Sequence, residues 1–294
     1  MATEPVSELP LVVIVGPTAS GKSKLAIDLA GRFNGEIICA DSRTIYTGLD
    51  IATAKPTQDE QQLVAHWGLD LVEPGARFTA ANFRKYADRK IVEIRNRGHI
   101  PFLVGGTGLY VDAVLFGYTF GSVVNEKLRL ELQQMSLDEL HDYCSEHNIN
   151  LPENDKNKRY VMRAIENAAV NVEQNATPVY KNIIVGITTD KNVLRNRIET
   201  RIEQMLENGV VEEAKKLGKM YGWKSESMTS NIYPLIHKYL QNELTIDELK
   251  VQSATIDWRL AKRQLTWLKR NKFIHWLDLS DANTYLSNQL AHIE

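Results

Sequence analysis

"LVVIVGPTASGKS", residues 11–23, joins an unbroken apolar run to a glycine-bracketed loop. An apolar run this short, ended by Gly16, reads as a strand buried on both faces. Gly16, Gly21, Lys22 and Ser23 satisfy the spacing G-x-x-x-x-G-K-[ST]. Glycines let backbone N–H groups turn inward around an anion, the lysine adds a point charge, and the serine hydroxyl can hold Mg²⁺. "KSKLAIDLAGRF" (22–33) follows with helical spacing, so the positive end of a helix faces the same anion. Strand, loop and helix in this order make a cradle for a diphosphate or triphosphate. The spacing alone does not say which.

The alternation continues outward from that unit. "EIICA" (36–40), "GLDLVEP" (68–74) and "PFLVGG" (101–106) read as strands. "TAANFRKYADRKIVEIRNRG" (79–98) and "TGLYVDAVLFG" (107–117) read as helices. Strands and helices in turn predict an α/β fold: a P-loop NTPase-like parallel sheet flanked by helices, with ligands beyond the strands' C-terminal ends. From about Gly121 the strand signals stop. "NEKLRLELQQ", "SLDELHDYCSEH" and "NDKNKRYVMRAIENA" are helical, and Ser136 with Glu139 forms a capping box. Strand character returns at "NIIVGIT" (182–188). A helix closed by Gly209 covers 191–209, further helices run to Lys272, and "FIHWLDL" (273–279) reads as a last strand. The expected organisation is a core of 1–120 and 176–294, interrupted by a small helical insertion at 121–175.

A chain of 294 residues suits such a core with one insertion. Apolar content of 43% and charged content of 24% are those of a globular protein, and no apolar run is long enough to cross a bilayer. The first residues, "MATEPVSELP", do not read as a secretion signal. Cys39 and Cys144 have no metal spacing and suggest no disulfide framework. A cytoplasmic protein is expected, without membrane attachment and acting as a monomer.

Net charge is −2, which excludes a chain that is basic overall. Yet Trp258 to Lys272 carries Arg259, Lys262, Arg263, Lys269, Arg270 and Lys272 and no acid. Such a stripe either neutralises phosphates or is a solvated helix face. Asp41, at the end of "EIICAD", has three readings: a holder of Mg²⁺, a general base, or a cap for the turn that follows. Trp67, Phe83 and Tyr110 could line an apolar ligand pocket or pack in the core. His66 reads as a hydrogen-bonded structural histidine, and Trp267 and Trp276 as core residues.

"GPTASGKS" is followed by "DSRTIYTGLDIATAKP" (41–56) and "FLVGGTGLY" (102–110), then by "NDKNKRYVMRAIE" (154–166), "RIETRIEQML" (197–206) and "AKRQLTW" (261–267). Together they resemble the tRNA dimethylallyltransferase family, also called tRNA isopentenyltransferases, from about residue 11 to 278. The resemblance implies transfer of a dimethylallyl group from dimethylallyl diphosphate to N6 of the adenosine 3′-adjacent to the anticodon. It implies that Gly16, Thr18, Ala19, Ser20, Gly21, Lys22 and Ser23 bind the diphosphate, with Ser23 on Mg²⁺. Asp41 would be the general base, with Thr107 and Arg201 also catalytic; Arg201 belongs to a pattern formed with Arg197 and Met205. Thr44, Lys158, Arg159, Arg163, Lys262, Arg263 and Gln264 would contact the anticodon stem-loop.

The chain departs from the family pattern at several places. Thr44 stands for a usual glutamine, Ala52 for a glycine, and Trp67 for the second of two histidines. Where the family expects Arg-Ala-x-Gly-Tyr the chain offers Thr229, Ser230, Asn231, Ile232 and Tyr233, and Trp258 stands where arginine is common. Rival readings are a P-loop kinase of a small molecule or nucleoside, a prenyltransferase of free adenine nucleotides, and an RNA binder without activity.

Overall fold

The computed structural model describes residues 9–119, 126–152, 154–168, 175–229 and 231–293. Gly121 and Ser230 lie outside them. The chain divides into two compact units, Met1–Leu115 with Pro178–Glu294, and Phe116–Thr177.

The larger unit is built on a parallel sheet. Its strands are β1 (Leu11–Val15), β2 (Gly35–Cys39), β3 (His66–Trp67), β4 (Ile100–Gly105), β5 (Asn182–Ile187) and β6 (His275–Leu277). Their order in space is β3-β2-β4-β1-β5-β6, with every pairing parallel. Every residue of β1 is buried, as a central strand covered on both faces requires. Val12 and Ile14 point to one face, against Leu25, Ala26 and Leu29 of α1 (Lys22–Arg32) and Ala282 and Leu286 of α12 (Leu279–Leu290). The other face meets α3 (Ala80–Asn96) and α4 (Gly108–Leu115). Phe83 and Tyr110 stack there with ring centroids 4.4 Å apart, so these aromatics belong to the core.

A short helix, α2 (Gln58–Leu63), precedes β3; α8 (Lys191–Glu207), α9 (Val210–Tyr221), α10 (Tyr233–Leu240) and α11 (Ile246–Leu268) follow β5. A 3₁₀ turn, Glu226–Thr229, leads into α10. Ile45, Tyr46 and Leu49 pack against Ile202, Met205, Ala214 and Tyr233 in a second core. That core pins the segment after β2 beneath α8 to α10. The smaller unit holds α5 (Glu126–Gln134), α6 (Leu137–Glu146) and α7 (Lys158–Ala168) around Leu132, Leu140, Cys144, Val161 and Ile165. The Ser136–Glu139 capping box is formed in both directions.

Several boundaries differ from expectation. The strand predicted at 68–74 is absent; β3 ends at Trp67, and only Val72 makes an isolated bridge, to Tyr46. Gly68 has φ +87° and Asp70 has φ 50°, so the chain turns where extension was expected. Gly209 does not close α8 alone but also starts α9 as its N-cap, with φ 89°. α12 has no counterpart in the sequence reading. Trp267 and Trp276 are half-buried rather than core. Among the described residues no helix is long and apolar enough to cross a membrane.

Candidate active site

Three strands end at one edge of the sheet. The 16–21 loop leaves β1, Asp41 follows β2 through Ala40, and Thr107 follows β4. The last two loops are drawn together by a close approach. A Cβ on Gly105 would lie 2.1 Å from the Ala40 carbonyl oxygen, so only glycine fits. Thr107 then donates its amide to Ala40 O at 3.2 Å, and its Oγ1 accepts the Ser42 amide at 3.1 Å. Asp41 caps its own turn: Oδ1 accepts the Arg43 amide at 2.8 Å. Thr44, buried, has its hydroxyl 3.5 Å from the Asp41 carbonyl oxygen.

The loop wraps an anion-sized concavity. Gly21 adopts φ 91° as the N-cap of α1, so the first amides of the helix face the loop's interior. Lys22 folds back and donates to Pro17 O at 3.1 Å. Burial lowers its ammonium from the ordinary 10.5 to about 8; the Asp41 charge opposes this and Arg201 adds to it. Ser20 is fully buried and, among the described residues, its hydroxyl has no hydrogen-bond partner. Ser23 is exposed on the first turn of α1.

α8 supplies the facing charges. Arg197 and Arg201 lie one turn apart, on one face. Arg197 Nη1 donates to Ser20 O at 3.2 Å, and Arg201 Nη1 donates to the Thr18 hydroxyl. Arg201 Nη2 reaches Thr53 O at 3.5 Å. α11 closes the third side. Gln264 Oε1 accepts the Thr18 amide at 2.8 Å, and a Cβ on Gly106 would meet Gln264 Nε2 at 2.5 Å. Trp267, farther along α11, donates to Asp112 of α4 at 2.6 Å, over the bare face of Gly108.

These groups enclose a cavity of about 520 Å³, lined among others by Lys22, Asp41, Thr107, Arg201, Arg263 and Gln264. That volume falls within the range of small-molecule sites. Thr18, Ala19, Ser20, Gly21, Ser23 and Thr44 line it too; Gly16 sits behind the loop. His66 lies at its rim with Nδ1 2.8 Å from Val64 O, and burial lowers its pKa. Trp67 does not line the cavity; it donates to Glu36 at 2.6 Å. Lys262 is exposed on α11 and absent from the lining.

Lys158, Arg159 and Arg163 belong to the smaller unit. Lys158 donates to Gln133 O at 2.8 Å, in the last turn of α5, where a cation suits the helix dipole. Arg163 pairs with Glu166 at 2.9 Å, and Arg159 is exposed.

Two features escaped the sequence reading. Glu213 of α9 accepts the amides of Asp50, Ile51 and Ala52 at 2.9, 2.7 and 3.0 Å, and the Tyr233 hydroxyl at 2.7 Å. It thus holds the loop whose Thr53 carbonyl meets Arg201. No local pattern announces a carboxylate that serves a segment so distant in sequence. Asp257 and Ser253 also line the cavity, with Gln264, from one face of α11. The spacing of 253, 257, 260 and 264 was a legible signal for that face.

The donors present suit a magnesium ion carried largely by a substrate's phosphates. Among the described residues no group of three or more His, Cys, Asp or Glu side chains could hold a metal alone. Mg²⁺ keeps its waters and binds through few protein oxygens beside phosphate. The Ser23 hydroxyl and the unpartnered Ser20 hydroxyl match that need.

Residues 44–271 match the family model described as IPP transferase. A tRNA dimethylallyltransferase of Streptococcus pyogenes is 40% identical over 269 residues, 90% of this chain and 89% of that one. The solved structure of the full-length tRNA isopentenylpyrophosphate transferase of Bacillus halodurans is similar at TM-score 0.73 and 35% identity, covering 97% of each chain. A Staphylococcus epidermidis tRNA delta(2)-isopentenylpyrophosphate transferase is similar at TM-score 0.72 and 31% identity, over 96% of this chain and 99% of that one. With its glycine-bracketed loop, its carboxylate after β2 and its α8 arginines in one cavity, the chain belongs to the IPP transferase family.

Proposed function

We propose that the chain transfers a dimethylallyl group from dimethylallyl diphosphate to N6 of the adenosine 3′-adjacent to the anticodon of tRNA, releasing diphosphate. The observation that carries this reading is the shared cavity: an anion cradle and a proton acceptor, Asp41, face the same space.

Adenine's exocyclic nitrogen is a weak nucleophile because its lone pair is delocalised into the ring. Asp41 takes the proton from that nitrogen as the new C–N bond forms at the allylic carbon. The bond from that carbon to the diphosphate oxygen breaks with its electron pair on oxygen. Negative charge therefore grows on the leaving group, against Lys22, Arg201 and the amides of the 16–21 loop. Thr107, fixed by the Ser42 amide, holds the Asp41 turn against the end of β4. Ser23 would hold a Mg²⁺ together with the diphosphate, and that ion would supply further positive charge there. The acceptor base must leave its stack to enter a cavity of this size. The exposed cations Lys262 and Arg263, with Arg159 of the smaller unit, are the candidates for phosphate contacts with the stem-loop.

The test is incubation with dimethylallyl diphosphate, Mg²⁺, total tRNA and a mixture of AMP, ADP and ATP, followed by mass analysis of the nucleosides and free nucleotides. Isopentenylated adenosine is the expected product. An unmodified tRNA pool beside prenylated AMP, ADP or ATP would assign the chain to free nucleotides instead.

A further inference from the structure

α11 presents Ser253, Asp257, Leu260 and Gln264 at intervals of four, three and four residues, which puts them on one helical face. All of them line the cavity. Gln264 is engaged with the Thr18 amide. The other two polar groups are not comparably satisfied. Asp257 is 7% exposed, and among the described residues its carboxylate is met by the Asn231 amide, which donates from Nδ2 to Oδ1 at 2.7 Å. Ser253 is 1% exposed, and its hydroxyl has no partner among the described residues.

Burying a carboxylate beside a neutral amide, and a hydroxyl beside nothing, lowers stability. Neither group supports the core, so the arrangement fits a site whose remaining partners arrive with a ligand. The chemistry of that ligand follows from charge. Arg43, Arg201 and Arg263 line the same cavity and suit phosphate oxygens. A carboxylate repels phosphate and takes only N–H or O–H donors. Asn231 engages Oδ1, which leaves Oδ2 to accept from a ligand. On base edges in RNA a carboxylate reads N–H donors, among them the exocyclic amines of adenine and cytosine. The amine of the base undergoing transfer is already assigned to Asp41.

Resting on the proposed tRNA reading, we propose that Asp257, oriented by Asn231, is a specificity-determining residue that accepts a hydrogen bond from the exocyclic amine of a nucleobase flanking the modified adenosine. Ser253 lies one turn away and adds a hydroxyl to the same edge.

The test uses anticodon stem-loops whose flanking bases carry or lack the amine: adenine against purine, and cytosine against pyrimidin-2-one. The wild-type protein should prefer the amine-bearing RNA by about tenfold in kcat/KM at one flanking position. Asp257→Asn should reduce that preference to within about twofold, with KM for dimethylallyl diphosphate unchanged. Asn231→Ala should weaken the preference without abolishing it. Ser253→Ala removes an unsatisfied group, so its thermal midpoint should hold or rise while KM for RNA increases; a lower midpoint with unchanged KM would make Ser253 structural. A wild-type protein that modifies RNA with no flank preference, or an Asp257→Asn variant that keeps it, overturns this inference alone. So does a preference that follows 2′-deoxy substitution rather than amine removal. Failure to modify any RNA overturns the proposed function as well.

Discussion

Gln264 Oε1 accepts the Thr18 amide hydrogen at 2.8 Å, joining residues 246 positions apart. The bond ties the anion loop to α11, the helix that also carries Arg263 and the Asp257 edge. Glutamate at this position would keep the acceptor while adding a negative charge beside the cradle. Gln264→Glu should therefore retain the thermal midpoint and bind inorganic pyrophosphate at least about tenfold more weakly. Titration calorimetry decides; equal affinity would mean that Gln264 swings away when the anion binds.

Asp41 is the proposed proton acceptor. Asp41→Ala should leave tRNA affinity nearly unchanged and lower single-turnover transfer at least ~100-fold. Turnover at the wild-type rate would remove the assignment and leave Asp41 as the cap of its own turn.

Glu213 gathers three backbone amides and the Tyr233 hydroxyl. Glu213→Ala strands all of these donors, so urea unfolding should show a loss of about 3 kcal/mol. Tyr233→Phe removes one of them and should cost about 1 kcal/mol. KM for dimethylallyl diphosphate should rise in Glu213→Ala, because the loop carrying Thr53 no longer braces Arg201. A stability loss no larger than that of Tyr233→Phe would show that the amides find other acceptors.

Lys22 titrates near 8 because the fold withdraws its ammonium from water. In the unfolded chain it holds its proton up to the ordinary lysine value of 10.5. The folded state therefore binds fewer protons between those limits, and the Lys22 contribution to stability rises with pH across that window. Anion binding runs the other way, since it requires the charged form. Pyrophosphate affinity should fall as pH climbs through about 8 and should fall less in Lys22→Arg, which keeps its charge. The difference between the two proteins removes the ligand's own titration; parallel pH profiles would contradict the assignment.

Lys262 and Arg263 are exposed on α11. Reversing both charges should weaken tRNA binding and flatten the slope of log affinity against log salt by about 2, roughly one for each phosphate that is no longer neutralised. An unaltered slope would return the stripe to a solvated helix face.

Much of the architecture was written locally. The all-apolar run at 11–15 can only be a strand covered on both faces, and it occupies the sheet's interior. Gly21 must sit at positive φ for α1 to begin where it does. The Ser136–Glu139 box marks the start of α6 from four consecutive residues. The strand predicted at 68–74 failed for an equally local reason, the left-handed turns at Gly68 and Asp70. α12 went unread because its apolar residues, Ala282, Leu286 and Leu290, are sparse and become meaningful only against α1 and β5.

By itself, the order of residues determined the alternating strands and helices, the glycine-bracketed loop and the carboxylate two residues beyond β2, because periodicity and backbone freedom act over a few positions. The tertiary structure alone decided that Gln264 meets Thr18, that Glu213 holds residues 50–52, and that Asn231 and Asp257 share one wall. Those pairings depend on strand register and on how α8, α9 and α11 pack, and no short-range pattern encodes either.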